Sequence, residues 1–401
     1  MPSFLSRVRW LSWAFAAVAV ALAVIALRDA AVAVYSRSNP AVALSISPAD
    51  PRALPAVIDR SAFSGQAGPS GPAQEARLRD GLRAMPLSPR TLRLLATSEQ
   101  AQANPEQAAK AMAIAGQMSR RDMLTEVVLA DAAARAGDAP TAMRRINAAL
   151  STSRGAGELA FPFLVQMLAD PTFRPIVTRY VDQPWGDEFL YYAAQHGRAT
   201  DALAVALGNP AAQTQGRFAR FRSELLAHLV SQGDARLAFD YVRRLKGPEA
   251  AILTEPGFSR STTDAAFAPL SWALTNRDGI YADRVGDAAL LTADPGARGV
   301  ALERVLQLEP GTWQLVAKQA PVQAVADSRA EWTFACASGA NAPSLGSAEM
   351  PLSKEPGSVH AQFNVPSACQ AVRVSLELRN LDDQRALEIE LDELALQRVG
   401  G

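Results

Sequence analysis

The amino-acid sequence predicts a multidomain α + β protein with a transmembrane helix, an all-α domain and an all-β domain in that order. Three patterns predict this order: one uncharged apolar run near the N-terminus, apolar residues at helical spacing over residues 75–247, and alternation with a period of two from about Phe258. We expect residues 1–9 to be cytoplasmic and 35–74 to be a linker. The transmembrane helix, the helical domain and the β-sandwich are expected at 10–34, 75–250 and 255–401.

The composition excludes several classes of protein. The chain of 401 residues has 40 Lys and Arg against 40 Asp and Glu, so its formal net charge is zero. A nucleic-acid binder needs a basic face to neutralise phosphates, and this balance removes the electrostatic case for one. Three histidines and two cysteines leave few ligands for a metal or a redox centre. We therefore expect no metal and no cofactor.

The apolar run covers residues 10–27, in which Ser12 is the one polar residue, and Arg7 and Arg9 precede it. A helix of this length approaches the thickness of the bilayer core, about 30 Å. Basic residues before the run favour a cytoplasmic N-terminus, so the bulk of the chain is expected in the periplasm of a bacterium, held by one span of the inner membrane. The alternative is a cleaved signal peptide, because Ala31-Val32-Ala33 has the small-x-small form of a cleavage site.

The segment 35–74 is rich in residues that interrupt regular structure. It contains six prolines and three glycines, namely Pro40, Pro48, Pro51, Pro55, Pro69, Pro72, Gly65, Gly68 and Gly71. Such a composition is typical of an extended spacer. We expect this segment to separate the membrane from the folded domains.

A repeated pattern runs through the helical region. Four turn residues are each followed five positions later by alanine, in the pairs Asn104 and Ala109, Gly137 and Ala142, Gly197 and Ala202, and Gly233 and Ala238. Spacings of 33 and 36 residues separate the first two and the last two turn residues. A period in this range is typical of stacked helical hairpins.

This pattern resembles the tetratricopeptide repeat. In the best copy, signature positions of that family are occupied by Leu129, Ala130, Ala133, Gly137, Ala142, Ile146 and Ala149. Glu126 stands where the family usually has tryptophan, and Arg154 stands at the final proline position. The resemblance implies a helical solenoid whose concave face binds a protein partner. A solenoid that serves only as a spacer is the alternative.

The C-terminal third alternates apolar and polar residues, as expected for half-buried antiparallel strands. The apolar positions that share a face are Trp313, Leu315 and Ala317; Trp332, Phe334 and Cys336; Val372, Val374, Leu376 and Leu378; and Leu387, Ile389 and Leu391. Short strands separated by Gly, Pro and Asn predict a β-sandwich or jelly roll.

The order of features resembles the galactose-binding-like jelly rolls found among carbohydrate-binding modules. Gly257-Phe258 opens the domain, and Glu309-Pro310-Gly311 joins two strands that are expected to pair with each other. A last strand with Ile389 and Asp392 resembles the closing strand of those modules. The resemblance implies a sandwich fold and raises the expectation of sugar binding.

Four residues are candidates for binding a saccharide. Trp272 and Tyr281 lie in less regular sequence, and Arg277 and Asp283 stand nearby to hydrogen-bond to hydroxyl groups. Trp272 has a structural alternative, which is that it belongs to the core. Trp313, Trp332 and Phe334 are expected in the core because each lies on the apolar face of its strand.

Cys336 and Cys369 are the two cysteines of the chain, and both lie in the predicted sandwich. Export would place them in an oxidising compartment, where paired cysteines of one domain form disulfides. We expect them to form a structural disulfide.

No catalytic signature stands out in the sequence, since it has no G-x-S-x-G, H-E-x-x-H or phosphate-binding glycine loop. The leading hypothesis is a non-catalytic scaffold that assists the assembly or export of an envelope or secreted polysaccharide. Its helical repeats would bind a protein, and its sandwich would bind a polysaccharide. The alternative is a periplasmic assembly adaptor for a membrane protein complex, with a purely structural sandwich.

Overall fold

The computed structural model describes residues 2–48, 50–63, 71–98, 103–153, 155–214, 216–245, 252–320, 328–337, 342–352, 355–382 and 384–399. The chain divides into two compact units, Met1–Ala156 and Gly157–Gly401. Helices precede two antiparallel β-sheets, so the predicted fold class is confirmed. The domain boundaries expected from the sequence remain predictions.

In the described residues of the first unit, all the regular secondary structure is α-helix. The helices are α1 (Pro2–Ser38), α2 (Pro40–Ile46), α3 (Ala53–Phe63), α4 (Pro72–Ala84), α5 (Pro89–Ala96), α6 (Pro105–Met118), α7 (Met123–Arg135) and α8 (Ala139–Thr152). Within α1, the segment Phe15–Ser38 is long and apolar enough to cross a membrane. Among the described residues no other helix meets that test.

The expected extended spacer contains two short helices, α2 and α3, in place of an extended chain. Pro40 occupies the first turn of α2, where its missing N–H would have had no helical partner, so this proline starts a helix and does not interrupt it. Ala43 and Ala53 are fully buried. In the described part of 35–74, Pro40 and Pro72 therefore begin helices, whereas Gly65, Gly68 and Pro69 lie outside the described residues.

A buried arginine connects three parts of the first unit. Arg93 of α5 donates from Nη2 to both carboxylate oxygens of Asp59 in α3, at 2.7 and 2.8 Å. Its Nε donates to Oδ2 of Asp122, the residue before α7, at 3.0 Å. All three side chains are largely shielded from water, so this pairing connects α3, α5 and the residue before α7 inside the first unit.

The helical hairpin α7–α8 turns at Gly137, whose φ of 77° favours glycine. Asp138 then caps α8, because its side chain accepts a hydrogen bond from the Thr141 amide at 3.0 Å. Ala142 of α8 is fully buried. The best copy of the sequence pattern is therefore a helix–turn–helix.

The second unit begins with further helices. They are α9 (Ala156–Ala169), α10 (Arg174–Thr178), α11 (Gly186–His196), α12 (Ala199–Gly208), α13 (Pro210–Thr214), α14 (Ala219–Ser231) and α15 (Ala235–Arg244), with a short 3₁₀ helix at Gly216–Phe218. Gly197 and Gly233 separate consecutive helices, as expected, and Ala202 and Ala238 are buried. Ala109, in contrast, is exposed in α6, so the first of the four expected alanines makes no such contact.

The remainder of the second unit is a β-sandwich. Its strands are β1 (Ala273–Leu274), β2 (Asn276–Arg277), β3 (Ile280–Val285), β4 (Ala288–Ala293), β5 (Arg298–Leu306), β6 (Gly311–Gln319), β7 (Arg329–Cys336), β8 (Ser344–Met350), β9 (Gly357–Val365), β10 (Val372–Arg379) and β11 (Leu387–Arg398). One sheet has the order β1-β5-β10-β7-β8, and the other has the order β2-β3-β4-β11-β6-β9. All the strand pairs are antiparallel.

The expected pairing of the strands on either side of Glu309-Pro310-Gly311 is wrong. β5 pairs with β1 and β10 in the five-stranded sheet, whereas β6 pairs with β11 and β9 in the six-stranded sheet. The connection therefore crosses from one sheet to the other, and Gly311 has a φ of 138° there. Alternation identifies a strand and its buried face, but it does not identify the neighbouring strand.

The core lies between the two sheets. Trp332 and Phe334 are fully buried within it, and Trp313 packs against it while partly exposed, as expected from the alternation. Cys336 at the end of β7 and Cys369 just before β10 form the expected disulfide, with a Cα–Cα distance of 5.5 Å.

Arg304 of β5 holds the chain before the sandwich against the core. It lies between Leu302 and Leu306 and is 1% exposed. Its guanidinium donates to four backbone carbonyls: Leu270 from Nε at 2.9 Å, Glu255 and Pro256 from Nη1 at 2.7 and 3.3 Å, and Ile252 from Nη2. Burial lowers the pKa of Arg304 to about 10, so the side chain stays charged at neutral pH.

Replacing Arg304 should destabilise the protein strongly. Arg304→Met removes every donor and leaves buried carbonyls without partners, so we expect the free energy of unfolding to fall by about 3 kcal/mol or more. Urea denaturation of the purified chain in detergent measures this loss, with Arg329→Ala on the exposed start of β7 as the control. Equal stability of the two variants would show that the carbonyl contacts of Arg304 contribute little.

The disulfide should stabilise the sandwich by restricting the unfolded chain. The two cysteines are 33 residues apart, and closing a loop of that size is worth about 3–4 kcal/mol in the chain-entropy model. We expect the Cys336→Ser, Cys369→Ser double variant to melt at a lower temperature and to be insensitive to reductant. A wild-type melting temperature that does not change on reduction would contradict this expectation.

Glu126 should make the stability of the first unit depend on pH. Its carboxylate is fully buried between α7 and α8 and accepts from Arg145 Nη1 at 3.0 and 3.3 Å. Burial raises the pKa of Glu126 above its ordinary value of 4.5, although Arg145 opposes the shift. Since folding favours the protonated form, the stabilisation is present below pH 4.5 and is lost as the pH rises through the folded pKa.

We therefore expect the wild type to lose free energy of unfolding relative to Glu126→Gln between pH 4.5 and neutrality. Urea denaturation at several pH values measures the difference, and Glu106→Gln at the exposed start of α6 provides the control. A difference that moves in the opposite direction with pH would mean that Arg145 outweighs burial.

Candidate functional site

Trp272 belongs to the core. The expectation that it stacks on a sugar is wrong, because its ring is buried. It is 1% exposed, and its ring lies 6.2 Å from that of Trp332 in an edge-on arrangement and 5.5 Å from that of Phe258. Its indole Nε1 donates to the Pro256 carbonyl at 2.9 Å, so its polar atom is also satisfied inside. The structural alternative considered for Trp272 is therefore the correct one.

Tyr281 and Asp283 lie together on the outer face of the six-stranded sheet. They alternate with the buried residues Ile280 and Ala282 along β3, and Tyr281 is 42% exposed. Arg277 is placed differently, because it is opposite Ile280 in the β2–β3 register and so belongs to the other face of the pleat. The structure thus brings together two of the four candidate residues.

The β2–β3 hairpin sets the position of Tyr281. Its turn consists of Asp278 and Gly279, with φ values of 56° and 77°. Positive φ at both central residues is typical of the tight turns that match the twist of a two-residue hairpin. Asp278 therefore has a structural role at the turn.

The outer face around Tyr281 is acidic. Tyr281 is opposite Thr292 of β4, which in turn is opposite Glu388 of β11. In the next row, Asp283 is opposite Leu290, and Leu290 is opposite Glu390. Carboxylates therefore flank an exposed tyrosine and an exposed leucine.

The other half of the same outer face presents side-chain amides. Gln397 of β11 is opposite Gln314 of β6, and Gln314 is opposite Gln362 of β9, so three glutamines form one row across three adjacent strands. Asn364 lies two residues beyond Gln362 on the same face. We call the group Gln314, Gln362, Asn364 and Gln397 the amide face.

The surroundings of the amide face also carry no net charge. Thr312 is opposite Asn364, and the row on the other side of the glutamines contains His360 opposite Val316 and, across β6, Ala395. Two ion pairs border the amide face, Lys318 Nζ with Glu393 Oε2 at 2.5 Å and Arg398 Nη1 with Glu309 Oε2 at 2.9 Å, and in each pair the two charges balance. The amide face therefore offers hydrogen-bonding groups without net charge.

Directly opposed residues of antiparallel strands have side chains within about 5.5 Å of each other. Each amide offers one carbonyl acceptor and two N–H donors. A row of three can therefore donate to and accept from several groups of one ligand. Neutral hydroxyl groups match this pattern, because each hydroxyl both donates and accepts.

The amide face was not among the candidates chosen from the sequence. The alternation of β6 and β9 was the available signal, since Lys318 is the one Lys, Arg, Asp or Glu among their eight outward positions, where a solvated strand more often carries several charges. None of these outward residues is Phe, Tyr or Trp, so the expectation of sugar stacking did not point to them. Within the described residues, no group of His, Cys, Asp and Glu is arranged to hold a metal ion.

No protein-family model matches this chain, and no curated protein matches it. Among solved structures, the chain is similar to one titled "CBM4 structure and function", at 20% identity and a TM-score of 0.26 over 33% of this chain and 96% of that one. It is also similar to the N-terminal cellulose-binding domain of a Cellulomonas fimi β-1,4-glucanase, at 17% identity and a TM-score of 0.24 over 33% and 92% of the two chains. A further similar structure is a carbohydrate-binding module of family 61 in complex with β-1,4-galactotriose, at 10% identity and a TM-score of 0.25 over 36% and 99%.

Proposed function

We propose that the sandwich binds a neutral polysaccharide on the amide face. The observation that carries this proposal is the row of Gln314, Gln362 and Gln397 across three adjacent strands, with Asn364 beside it. Each hydrogen bond to a hydroxyl contributes about 1 kcal/mol net, so several acting together are needed for measurable affinity. An extended row suits a chain of sugars better than a single one.

We further propose that the protein is a non-catalytic scaffold, held by α1 in a bacterial inner membrane with its bulk in the periplasm. In this role it assists the assembly or export of an envelope or secreted polysaccharide. The consecutive helix pairs, in which Ala142, Ala202 and Ala238 are buried, support the proposal that the helical region offers a surface for a protein partner.

The second candidate function is a periplasmic adaptor for a membrane protein complex, with a purely structural sandwich. The burial of Trp272 favours it, because this removes one of the two aromatic rings on which a sugar was expected to stack. In-cell crosslinking distinguishes the two functions. A discrete protein partner, with no retained glycan, would support the adaptor.

Sugar binding is tested with the full chain in detergent on an array of neutral oligosaccharides. We expect the Gln362→Ala, Gln397→Ala double variant to bind at least roughly 10-fold more weakly than the wild type, because at least two hydrogen bonds are lost. Gln370→Ala, at an exposed position outside the strands, is the matched control. Circular dichroism verifies that every variant is folded.

Two other results would redirect or remove the proposal. If Tyr281→Ala abolishes binding and the glutamine variant retains it, the ligand occupies the acidic half of the outer face. If the folded wild type retains no glycan, the sandwich does not bind sugar.

A further inference from the structure

Helix α1 has two different surroundings along its length. The apolar side chains of residues 15–27 are exposed on every side, including Leu27 at 71%. The surroundings change after Arg28 and Asp29, since Val32 is only 3% exposed. One continuous helix therefore has an exposed apolar part, residues 15–27, followed by a part that packs within the first unit.

The packed part is formed by α1, α2 and α3. Val32 forms a buried cluster with Ala43 and Ala53, against which Leu44 and Ile46 pack. Arg28 Nη2 donates to the Ile46 carbonyl at 3.3 Å, which links the start of this part to the end of α2. The turn from α1 to α2 is tight, since the Asn39 amide donates to the Tyr35 carbonyl at 2.8 Å.

These contacts bear on the cleavage-like tripeptide Ala31-Val32-Ala33. All three residues are helical, and the middle one is the buried contact to α2 and α3. Cleavage after Ala33 would remove Val32 and Arg28 from the folded unit and leave Ala43 and Ala53 facing water. The folded first unit therefore uses residues that a signal peptidase would remove.

The exposed part needs an apolar partner that covers every side of it. An all-round apolar helix in water would expose each of its side chains at a cost of about 25 cal/mol per Å². Residues 10–27 would extend about 27 Å as a helix, close to the thickness of the bilayer core. A protein groove covers one side of a helix, whereas a bilayer covers all of them, so the occupant that fits is lipid.

We propose that the mature chain retains α1, with its apolar part up to Leu27 in the bilayer and residues 28–38 outside it as the first helix of the folded unit. Val32 follows Leu27 by about 7.5 Å along the helix axis, so the folded unit lies directly on the lipid surface with no spacer. This proposal rests on the membrane location proposed above, and it selects the anchor over the cleaved signal peptide.

Thiol labelling of the full chain in spheroplasts tests the position of the lipid boundary. The two native cysteines are joined in a disulfide, so an introduced cysteine supplies the reactive thiol. Leu27→Cys and Val34→Cys are a matched pair, because both positions are exposed in the structure, at 71% and 64%. We expect an impermeant maleimide to label Val34→Cys, and to label Leu27→Cys only after detergent is added.

Three results would overturn the proposal. Protection of both thiols would place residues 28–34 in the bilayer as well. A mature mass that lacks residues 1–33 would show cleavage, which removes this inference but leaves the exported, sugar-binding role intact. A full-length chain in the soluble fraction would remove the proposed membrane location itself.

The packing of Val32 has a separate test. Val32→Asp should lower the melting temperature of the full chain in detergent, while Val34→Asp, at an exposed position of the same helix, should leave it unchanged. Equal melting temperatures would overturn the claim that residues 28–38 belong to the folded unit.

Discussion

The second unit depends on one buried guanidinium. Arg304 lies on the inward face of β5, where removing a charge from water costs several kcal/mol. Four backbone carbonyls from residues 252–270 compensate this cost. The same segment places Phe258 and Trp272 in the core. Its 3₁₀ helix, Ala265–Phe267, contacts α14, because the Arg222 guanidinium lies 5.1 Å from the centre of the Phe267 ring. The helices before the sandwich and the sandwich itself are therefore joined through the segment that Arg304 holds.

This arrangement explains why the outer face of the six-stranded sheet is available for a ligand. The inward residues of β6, β9 and β11 complete the core, together with Trp272 and Trp332. The outward positions of the same strands are not needed for packing, and Gln314, Gln362 and Gln397 occupy one row of them. Charged residues at those positions would increase solubility but would have to be desolvated to bind a neutral ligand. Amides keep the face polar at a lower cost of desolvation.

The features that could be predicted from the sequence are those set by local periodicity, namely the strands and their buried faces. The strands with Trp332, Phe334 and the alternating residues of β10 and β11 were expected with the correct buried faces, and Cys336 and Cys369 were expected to pair. The pairing of β5 could not be predicted, because it depends on which distant segments meet. The burial of Trp272 was one of two alternatives, and its contacts with the segment before the sandwich decide between them. Local geometry decides the other candidates: Tyr281 and Asp283 share a face through the two-residue period, whereas the turn at Asp278-Gly279 places Arg277 opposite the inward-facing Ile280.

The central claim is that a neutral saccharide lies along the row of glutamines. The most direct measurement is a nuclear magnetic resonance titration of the side-chain NH₂ groups with a neutral oligosaccharide that the array identifies. Our account predicts that the signals of Gln314, Gln362 and Gln397 shift together and saturate at one dissociation constant, while the signal of Gln370 stays in place. Saturable binding that leaves the three glutamine signals unchanged would contradict it.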